Sequence, residues 1–441
     1  MRRYVIIGGG AAGMAAAEEI RRRDSSGEIT MVCEEHDRYY SRPGLAYYLT
    51  GELPENMLFP YSSSDFDRLG LNWIIARALR LDARQHHLYL GNSRTLPYDR
   101  LLIATGAAAL SPDLPGMNLE GVVKLDSLQD ARAILKLARR GRTAVVVGGG
   151  ITALEIVEGL LAHGVRTHYL MRGDHYWSSV LDETESSLIE ERMRSAGAHL
   201  LTRSEVIEII GRRGKVAGVR TRSGELIPAD LFAYAIGIRP QSELARASGL
   251  EVERGILVDD AMRTSAADVF AAGDVAQVYD PLSGKFLLDS LWGPARAQGG
   301  VAGANMAGDA LRYHKPPACN VTRLTGVITT LIGLLASGRD SDLAGIARGD
   351  SEVWRQRPEA IVARAHYEVN RLRLMIGERT LLGAVIMGDQ AISRPIQRLV
   401  EAQADITPIR ARLLAPGAPL AQMIIEYSNK WEKQEHAVQQ P

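Results

Sequence analysis

The chain opens on an apolar, β-branched run, Tyr4-Val5-Ile6-Ile7, which breaks at once into Gly8-Gly9-Gly10-Ala11-Ala12-Gly13. An alanine-rich stretch over residues 14–23 follows, and a second apolar run over 29–33 ends in Glu34-Glu35. Short apolar runs bounded by glycine read as buried strands, and the alanine-rich stretch between them reads as a helix. The predicted order is strand, glycine turn, helix, strand, acid: a βαβ unit. The pattern then returns. Residues 144–147 are apolar, Gly148-Gly149-Gly150 makes the turn, 151–163 reads as a helix and 166–171 as the next strand. Repetition at about one domain length predicts two domains of one kind.

Between the repeats, residues 101–103 lead into Ala104-Thr105-Gly106, and Pro112 with Pro115-Gly116 reads as a linker. After the second repeat, 231–236 runs into Gly237-Ile238-Arg239-Pro240, and Asp268-Val269-Phe270-Ala271-Ala272-Gly273-Asp274 follows. Pro316-Pro317 marks a further boundary. Beyond it, apolar runs at 371–376 and 381–387, with helices near 394–404 and 418–433, predict a third, α+β domain. Residues 434–441 are polar and read as a frayed end. The helix predicted over 421–433 carries Met423, Ile424, Tyr427 and Trp431 near helical spacing, which reads as a docking face or a homodimer contact through the C-terminal domain. The apolar stretch 324–336 contains threonines and glycines and reads as buried structure. No run of about 18 apolar residues exists, so no transmembrane helix is expected.

Composition narrows the classes. A length of 441 residues fits two to four domains of roughly 100–200 residues each. The 52 basic side chains balance 52 acidic ones, which gives no support to nucleic-acid binding. The two cysteines, Cys33 and Cys319, are too far apart in sequence for a Cys-x-x-Cys pair, which argues against an iron–sulfur cluster or a multi-cysteine zinc site. Low cysteine use and an N-terminus that enters a strand at once fit a cytoplasmic protein without a signal peptide. His86-His87 reads as a turn, and Arg21-Arg22-Arg23 as the solvated end of a helix whose dipole favours cations.

The glycines carry the chemistry. In Gly8-x-Gly10-x-x-Gly13 the first permits a tight turn, the second lets backbone approach a pyrophosphate, and the third lets helix pack on strand. The helix start offers unpaired N–H groups to phosphate. Glu34, about twenty residues on, is placed to bond ribose hydroxyls. In the second motif, Gly148-x-Gly150-x-x-Ala153, the helix begins at Ile151 and Glu155 follows two residues after the alanine. Its next strand ends in Met171-Arg172 where an acid would favour NAD. Arg172 fits either a 2′-phosphate or a solvated surface, and Asp174 is a displaced acid, so the donor is written NAD(P)H. Two such motifs imply two bound dinucleotides and hydride transfer between them.

These motifs, with Ala104-Thr105-Gly106, Ala235-Ile236-Gly237-x-Arg239-Pro240, and Thr264-Ser265 through Gly273-Asp274, resemble the pyridine nucleotide–disulfide oxidoreductase superfamily over roughly residues 1–310. The resemblance implies an α/β fold of two glutathione-reductase-like, Rossmann-type domains plus a C-terminal α+β interface domain. It implies an FAD domain over 1–114 and 252–316, an NAD(P) domain over 115–251, and an interface domain over 317–441. Asp274 would bond the FAD ribityl chain, and Glu155 would sit near the nicotinamide. Gly8, Gly10, Ala12, Gly13, Glu34, Ala78, Ala104, Thr105, Gly106 and Gly273 fall to FAD, and Gly148, Gly150, Ile151, Ala153, Arg172 and Gly237 to NAD(P).

The segment Tyr39-Tyr40-Ser41-Arg42-Pro43-Gly44-Leu45 has no cysteine, unlike the disulfide reductases. It resembles the non-thiol branch of rubredoxin and ferredoxin reductases and the nitrite reductase flavin module, which brings Arg42 and Pro43 to the FAD site. Trp292-x-x-Ala295-x-x-Gln298-Gly299 fits the same branch, with Trp292 near the flavin. Tyr47 stands where ferredoxin reductases have a lysine. Siroheme and iron–sulfur ligands are absent, so this chain alone would not reduce nitrite. The function implied is an FAD-dependent NAD(P)H oxidoreductase passing electrons to a small redox protein, a quinone or a partner subunit. The alternatives are an NADH oxidase, or a redox-sensing or assembly flavoprotein of the apoptosis-inducing-factor type.

Overall fold

A computed structural model describes residues 1–281, 283–335, 370–415 and 417–438. These fall into two compact units, one holding Met1–Tyr176 and Glu190–Lys315, the other Trp177–Ile189 and the described residues after Lys315.

The first unit contains two parallel five-stranded sheets. One runs in the order Val269–Ala271, Arg100–Ile103, Arg3–Ile7, Glu28–Cys33, Leu71–Ile75. The other runs His199–Leu201, Arg166–Leu170, Thr143–Val147, Leu231–Tyr234, Val122–Val123. Their central strands are buried on both faces, as parallel sheets require, which explains the unbroken apolar runs in the sequence. Each predicted βαβ unit is present. The first helix, Ala11–Arg23, begins three residues before the predicted 14, so Gly13 lies inside its first turn. The second spans Ile151–Ala162. The unit also holds two antiparallel meanders, Ala78–Asp82 with His87–Leu90 and Thr95–Pro97, and Val206–Arg212 with Lys215–Thr221 and Leu226–Pro228, and a three-stranded sheet of Ile256–Leu257, Ala276–Asp280 and Lys285–Leu288.

The helix Trp292–Ala307 lies directly on Ala11–Arg23. A Cβ on Gly299 would stand 2.1 Å from the Ala12 carbonyl oxygen, and one on Gly303 would stand 2.4 Å from that of Ala16. Two glycines four apart thus let the backbones meet. Arginines at the end of Ala11–Arg23 do more than face water. The Arg21 guanidinium donates to the carbonyls of Leu69 and Ser25 (2.8 Å each), and Arg23 pairs with Glu19 and Asp309. His86 takes the turn predicted for it, and His87 begins a strand.

Where the chain leaves the first sheet, Ala107–Ala109 pairs antiparallel with Ile238–Pro240, where it returns from the second. The Leu110 N–H adds a bond to the Gly237 carbonyl (2.9 Å).

The second unit carries a four-stranded antiparallel sheet ordered Cys319–Leu324, Val327–Gly333, Leu381–Met387, Arg371–Ile376. Helices Ser393–Glu401, Thr407–Leu413 and Leu420–Val438 follow it. The middle helix was not predicted; Pro408 opens it, a position where proline suits a helix. The apolar face predicted for docking is used within the unit: Met423 and Ile424 are buried in a core with Ile332, Leu381 and Ile396, and Tyr427 and Trp431 pack on that core. Arg373 forks onto buried Glu185 with two 3.0 Å bonds and reaches the Val180 carbonyl (2.6 Å), tying Trp177–Ile189 to this sheet. The described part of 324–336 is mostly buried, with Gly326 and Leu334 exposed, and residue 336 lies outside the described residues. Among the described residues no helix is long and apolar enough to cross a membrane.

Candidate functional site

Both glycine turns are shaped by contacts that exclude any side chain. Gly8 has φ +107°, and a Cβ there would lie 2.1 Å from the Ala104 carbonyl oxygen. A Cβ on Gly13 would lie 2.0 Å from the Gly8 carbonyl. Gly148 repeats the arrangement, with φ +149° and the Ala235 carbonyl oxygen 2.3 Å from where a Cβ would stand. Ala153 packs just below it, so the alanine allowed in the third position fits here.

Other positions of the turns are open. Nothing lies within 4 Å of a Cβ on Gly10, the last glycine of the first turn, or on Gly149 in the second, whereas a Cβ on Gly9 would meet Trp73 and Cys33. Gly10 and Gly150 are the N-caps of their helices, neither helix start has a side-chain cap, and neither first turn holds an acid. Each turn therefore presents uncapped N–H groups and a positive helix end to open space, which suits a dinucleotide pyrophosphate.

Several predicted residues gather around the first turn. Gly273 (φ +80°) sits against Ala12 and Ala295, at 3.1 and 3.7 Å from its Cβ position. Its N–H donates to the fully buried Gln298 Oε1 (2.8 Å), which fixes the Gly273-Asp274 turn to the helix Trp292–Ala307. Ala104 and Gly8 are in contact, and the Thr105-Gly106 turn is clasped by Gln241 through bonds of 2.8–2.9 Å. Glu34 follows the strand Glu28–Cys33 and is exposed, with Arg77 at 3.9 Å, so its carboxylate is accessible to a ribose. Ala78, the residue after Arg77, begins the strand Ala78–Asp82.

Arg42 bonds the Glu35 carboxylate and the Asp126 carbonyl, and lies over the Tyr40 ring; Pro43 follows in the turn before Leu45–Leu49. The acid that engages Arg42 is thus Glu35, leaving Glu34 clear. The Trp292 Nε1 donates to the Tyr39 hydroxyl (3.1 Å), and Arg296 stacks on the Trp292 ring while pairing with Glu18 (2.8 Å). Tyr61 joins this network by donating to Glu18 (2.6 Å) and meeting Tyr39 edge-on.

Around the second turn, Ile151 is buried and Glu155 half-buried on the helix Ile151–Ala162. The fully buried Tyr176 hydroxyl is held well above its usual range by burial, then by nearby Tyr169, Glu158 and Glu155. The helix Leu45–Leu49, which carries Tyr47, docks on Ile151–Ala162: a Cβ on Gly159 would meet that of Leu49 at 2.8 Å, and His163 Nε2 reaches the Leu49 carbonyl (3.0 Å). Arg172 is exposed at the strand end, near Glu205, and Asp174 is paired with Arg203 (2.5 Å). Gly237 (φ +125°) lies at the crossing strands beside Leu110.

No redox thiol serves the site. Cys33 is buried beneath Gly9, whose Cβ position is 2.7 Å from its sulfur, and burial with the nearby Glu35 charge pushes the thiol up to about 12. A thiol so protonated is a poor nucleophile. Cys33→Ala is therefore expected to leave the rate of flavin reduction by NAD(P)H unchanged and to cost at most about 1 kcal/mol of stability. Stopped-flow reduction checks the first point, and a large loss of rate would place the thiol in the mechanism. Among the described residues no group of three or more acid, histidine or cysteine side chains could hold a metal.

Sequence reasoning missed Gly303, Tyr61, Arg296 and Tyr176. Only Gly303 left a signal, its spacing of four from Gly299. The others are brought in by contacts between segments distant in sequence.

The residues present fit FAD at the first turn and a nicotinamide dinucleotide at the second. Bound FAD supplies a two-electron acceptor able to release electrons singly. The protein's part is to hold the two ligands, since hydride transfer needs alignment more than acid–base catalysis. A family model for pyridine nucleotide-disulphide oxidoreductases matches residues 2–308. The chain is 30% identical over 310 residues to the epsilon subunit of the NADH-dependent phenylglyoxylate dehydrogenase of Aromatoleum evansii, covering 70% of this chain and 73% of that one. It is 30% identical over 391 residues to the nitric oxide reductase FlRd-NAD(+) reductase of Aeromonas hydrophila, covering 88% and 94%. Putidaredoxin reductase, solved in covalent complex with putidaredoxin, shares the fold with a TM-score of 0.81 at 20% identity, covering 97% of this chain and 99% of that one. With two open, uncapped glycine turns in one unit and a family match across both of them, the chain belongs to the pyridine nucleotide-disulphide oxidoreductase family and is an FAD-dependent NAD(P)H oxidoreductase.

Proposed function

We propose that this enzyme takes hydride from NAD(P)H onto FAD and passes the electrons to a small redox protein, a quinone or a partner subunit. The observation that carries the reading is the pairing of two phosphate-ready helix starts with the absence of a usable thiol: Cys33 is buried and protonated, and the segment 39–45 has no cysteine. Electrons on FAD then pass to an external acceptor, a small redox protein, a quinone or a partner subunit. The names of two relatives, a FlRd reductase and a dehydrogenase subunit, support both kinds of protein partner.

In this reading Gly8, Gly10, Ala12, Gly13, Glu34, Arg42, Pro43, Ala78, Ala104, Thr105, Gly106, Gly273, Asp274 and Trp292 hold FAD. Gly148, Gly150, Ile151, Ala153, Arg172 and Gly237 hold the donor, and Glu155 positions the nicotinamide. Residues 1–114 with 252–316 form the FAD domain, 115–251 the donor domain and 317–441 an interface domain. The low cysteine count supports a cytoplasmic setting.

Anaerobic titration of the purified protein with NADH, then NADPH, tests this. Full bleaching of the flavin by one donor and rapid electron transfer to ferricyanide, with slow oxygen consumption, is the expected result. A flavin that stays oxidised with both donors overturns it. Arg172→Ala is expected to raise the KM for NADPH roughly tenfold, the worth of one charge-assisted phosphate contact, and to leave that for NADH alone. An equal KM for NADPH in both proteins would make Arg172 a surface residue.

A further inference from the structure

Behind the Gly273-Asp274 turn the first unit buries a charge cluster that the hydride chemistry leaves unused. Asp280 closes the strand Ala276–Asp280, Asp289 precedes the helix Trp292–Ala307, and Lys315 lies at the end of the unit. Their relative exposures are 3%, 5% and 8%. Lys315 Nζ stands 3.8 Å from Asp280 Oδ1 and 3.9 Å from Asp289 Oδ2, within ion-pair range of both and beyond hydrogen-bond range of either. The other Asp280 oxygen accepts from the Ser283 N–H (3.1 Å) and hydroxyl (2.6 Å). Neither Asp280 Oδ1 nor Asp289 Oδ2 has a hydrogen-bond donor.

The segment that supplies Lys315 is fixed in place. Asn305 accepts from the Leu311 N–H (2.7 Å) and donates to the Leu311 and Ala261 carbonyls, while the Tyr313 N–H donates to the Asp260 carbonyl (2.6 Å). Tyr313 faces Asp289 and Gln298. Asp274 and Asp280 both add negative potential at Asp289, and Lys315 opposes them.

Fully ionised, the buried Asp280 and Asp289 with the half-buried Asp274 beside them outweigh Lys315 and leave an excess of negative charge. Buried carboxylates without donors relieve that cost by binding a proton. Asp289 is the group on which the strain falls: burial first, then Asp274 and Asp280 against the pull of Lys315, push its carboxyl up to about 6. Its charge can therefore change near neutral pH.

We propose that Asp289, set between Lys315 and the Asp280 and Asp274 carboxylates, is a redox-linked proton site that takes up a proton when negative charge arrives on the neighbouring FAD. The inference rests on the reading that Asp274 meets FAD. A hydride brings two electrons and one proton, so one unit of negative charge arrives uncompensated. That charge raises the affinity of the Asp289 carboxylate for a proton. The new O–H bond forms at Asp289, and the O–H bond broken is that of a hydronium or buffer acid. No electrons move to or from the aspartate. When electrons leave for the acceptor, the proton returns to solvent.

The test is proton uptake by the holoprotein during anaerobic reduction with stoichiometric NADH in weak buffer, followed with an indicator dye while the flavin absorbance is recorded. Near pH 7 the wild type is expected to take up more protons per flavin than Asp289→Asn, by up to one. The excess should vanish near pH 5, where Asp289 is already protonated before reduction. Lys315→Met should move the window of excess uptake to higher pH, because the opposing cation is gone. A reduction-induced infrared band of a protonated carboxyl should appear in the wild type, which keeps the question open to measurement if Asp289→Asn folds poorly. Equal uptake by wild type and Asp289→Asn with fully bleached flavin in both, or no carboxyl band in the wild type, overturns the inference alone. A wild-type flavin that does not bleach overturns the functional reading and this inference with it.

Discussion

Gly10→Glu is expected to give a folded but colourless protein. Gly10 has an ordinary φ of −80°, and nothing lies within 4 Å of a Cβ there, so the backbone and the packing both accept a side chain. The new carboxylate would lie at the uncapped start of the helix Ala11–Arg23, satisfy the N–H groups there, and occupy the space left for a pyrophosphate. Like charge and lost room should weaken FAD binding by roughly a thousandfold, about 4 kcal/mol. The ratio of flavin to protein absorbance after purification measures the loss, and circular dichroism shows whether the fold survives. Gly8→Ala makes the contrast. At φ +107° with a backbone carbonyl 2.1 Å from its Cβ position, it should fail by misfolding. A yellow Gly10→Glu protein would remove the phosphate from this turn.

Gly303→Leu is expected to damage the fold severely, although it lies outside the turns. The backbone of Ala16 lies 2.4 Å from its Cβ position and cannot yield as a flexible side chain would, so the helices Ala11–Arg23 and Trp292–Ala307 must separate. Loss of more than about 4 kcal/mol, with FAD lost as Ala12 and Gly273 part, is the anticipated result. Gly300→Leu is the control. Its Cβ position meets only the Glu19 side chain at 3.8 Å, so the melting temperature should hold or rise, since leucine favours a helix over glycine. Equal effects at the two positions would show that close helix contact is not what glycine provides here.

These positions also show what sequence can reveal. Gly8, Gly13 and Gly148 announce themselves because a tight turn and a close carbonyl admit nothing larger, and such constraints act between residues near in sequence. The parallel strands are legible for a like reason, being buried on both faces and so apolar throughout. Glu34 and Arg42 could be named from spacing and resemblance, but not the division of labour in which Glu35 holds Arg42 and leaves Glu34 clear. That depends on how the chain turns after residue 35. Tyr176, which packs near Glu155, and Lys315, which meets acids from two other segments, have no local signature at all. Their partners are chosen by the fold. The helix 420–438 is legible only in part for a related reason: an apolar stripe shows that a face is covered, not what covers it, and here its own unit covers Met423 and Ile424.

The paired strands Ala107–Ala109 and Ile238–Pro240 have a consequence for ancestry and engineering. Residues 110–237, which include one whole parallel sheet, leave and re-enter the chain through strands that are hydrogen-bonded neighbours. A segment with adjoining ends can be spliced into or out of a host by cutting the host chain at one point, without rerouting any other strand. The segment 110–237 is thus placed like an insert in a loop of its host chain, an arrangement that a single insertion reaches.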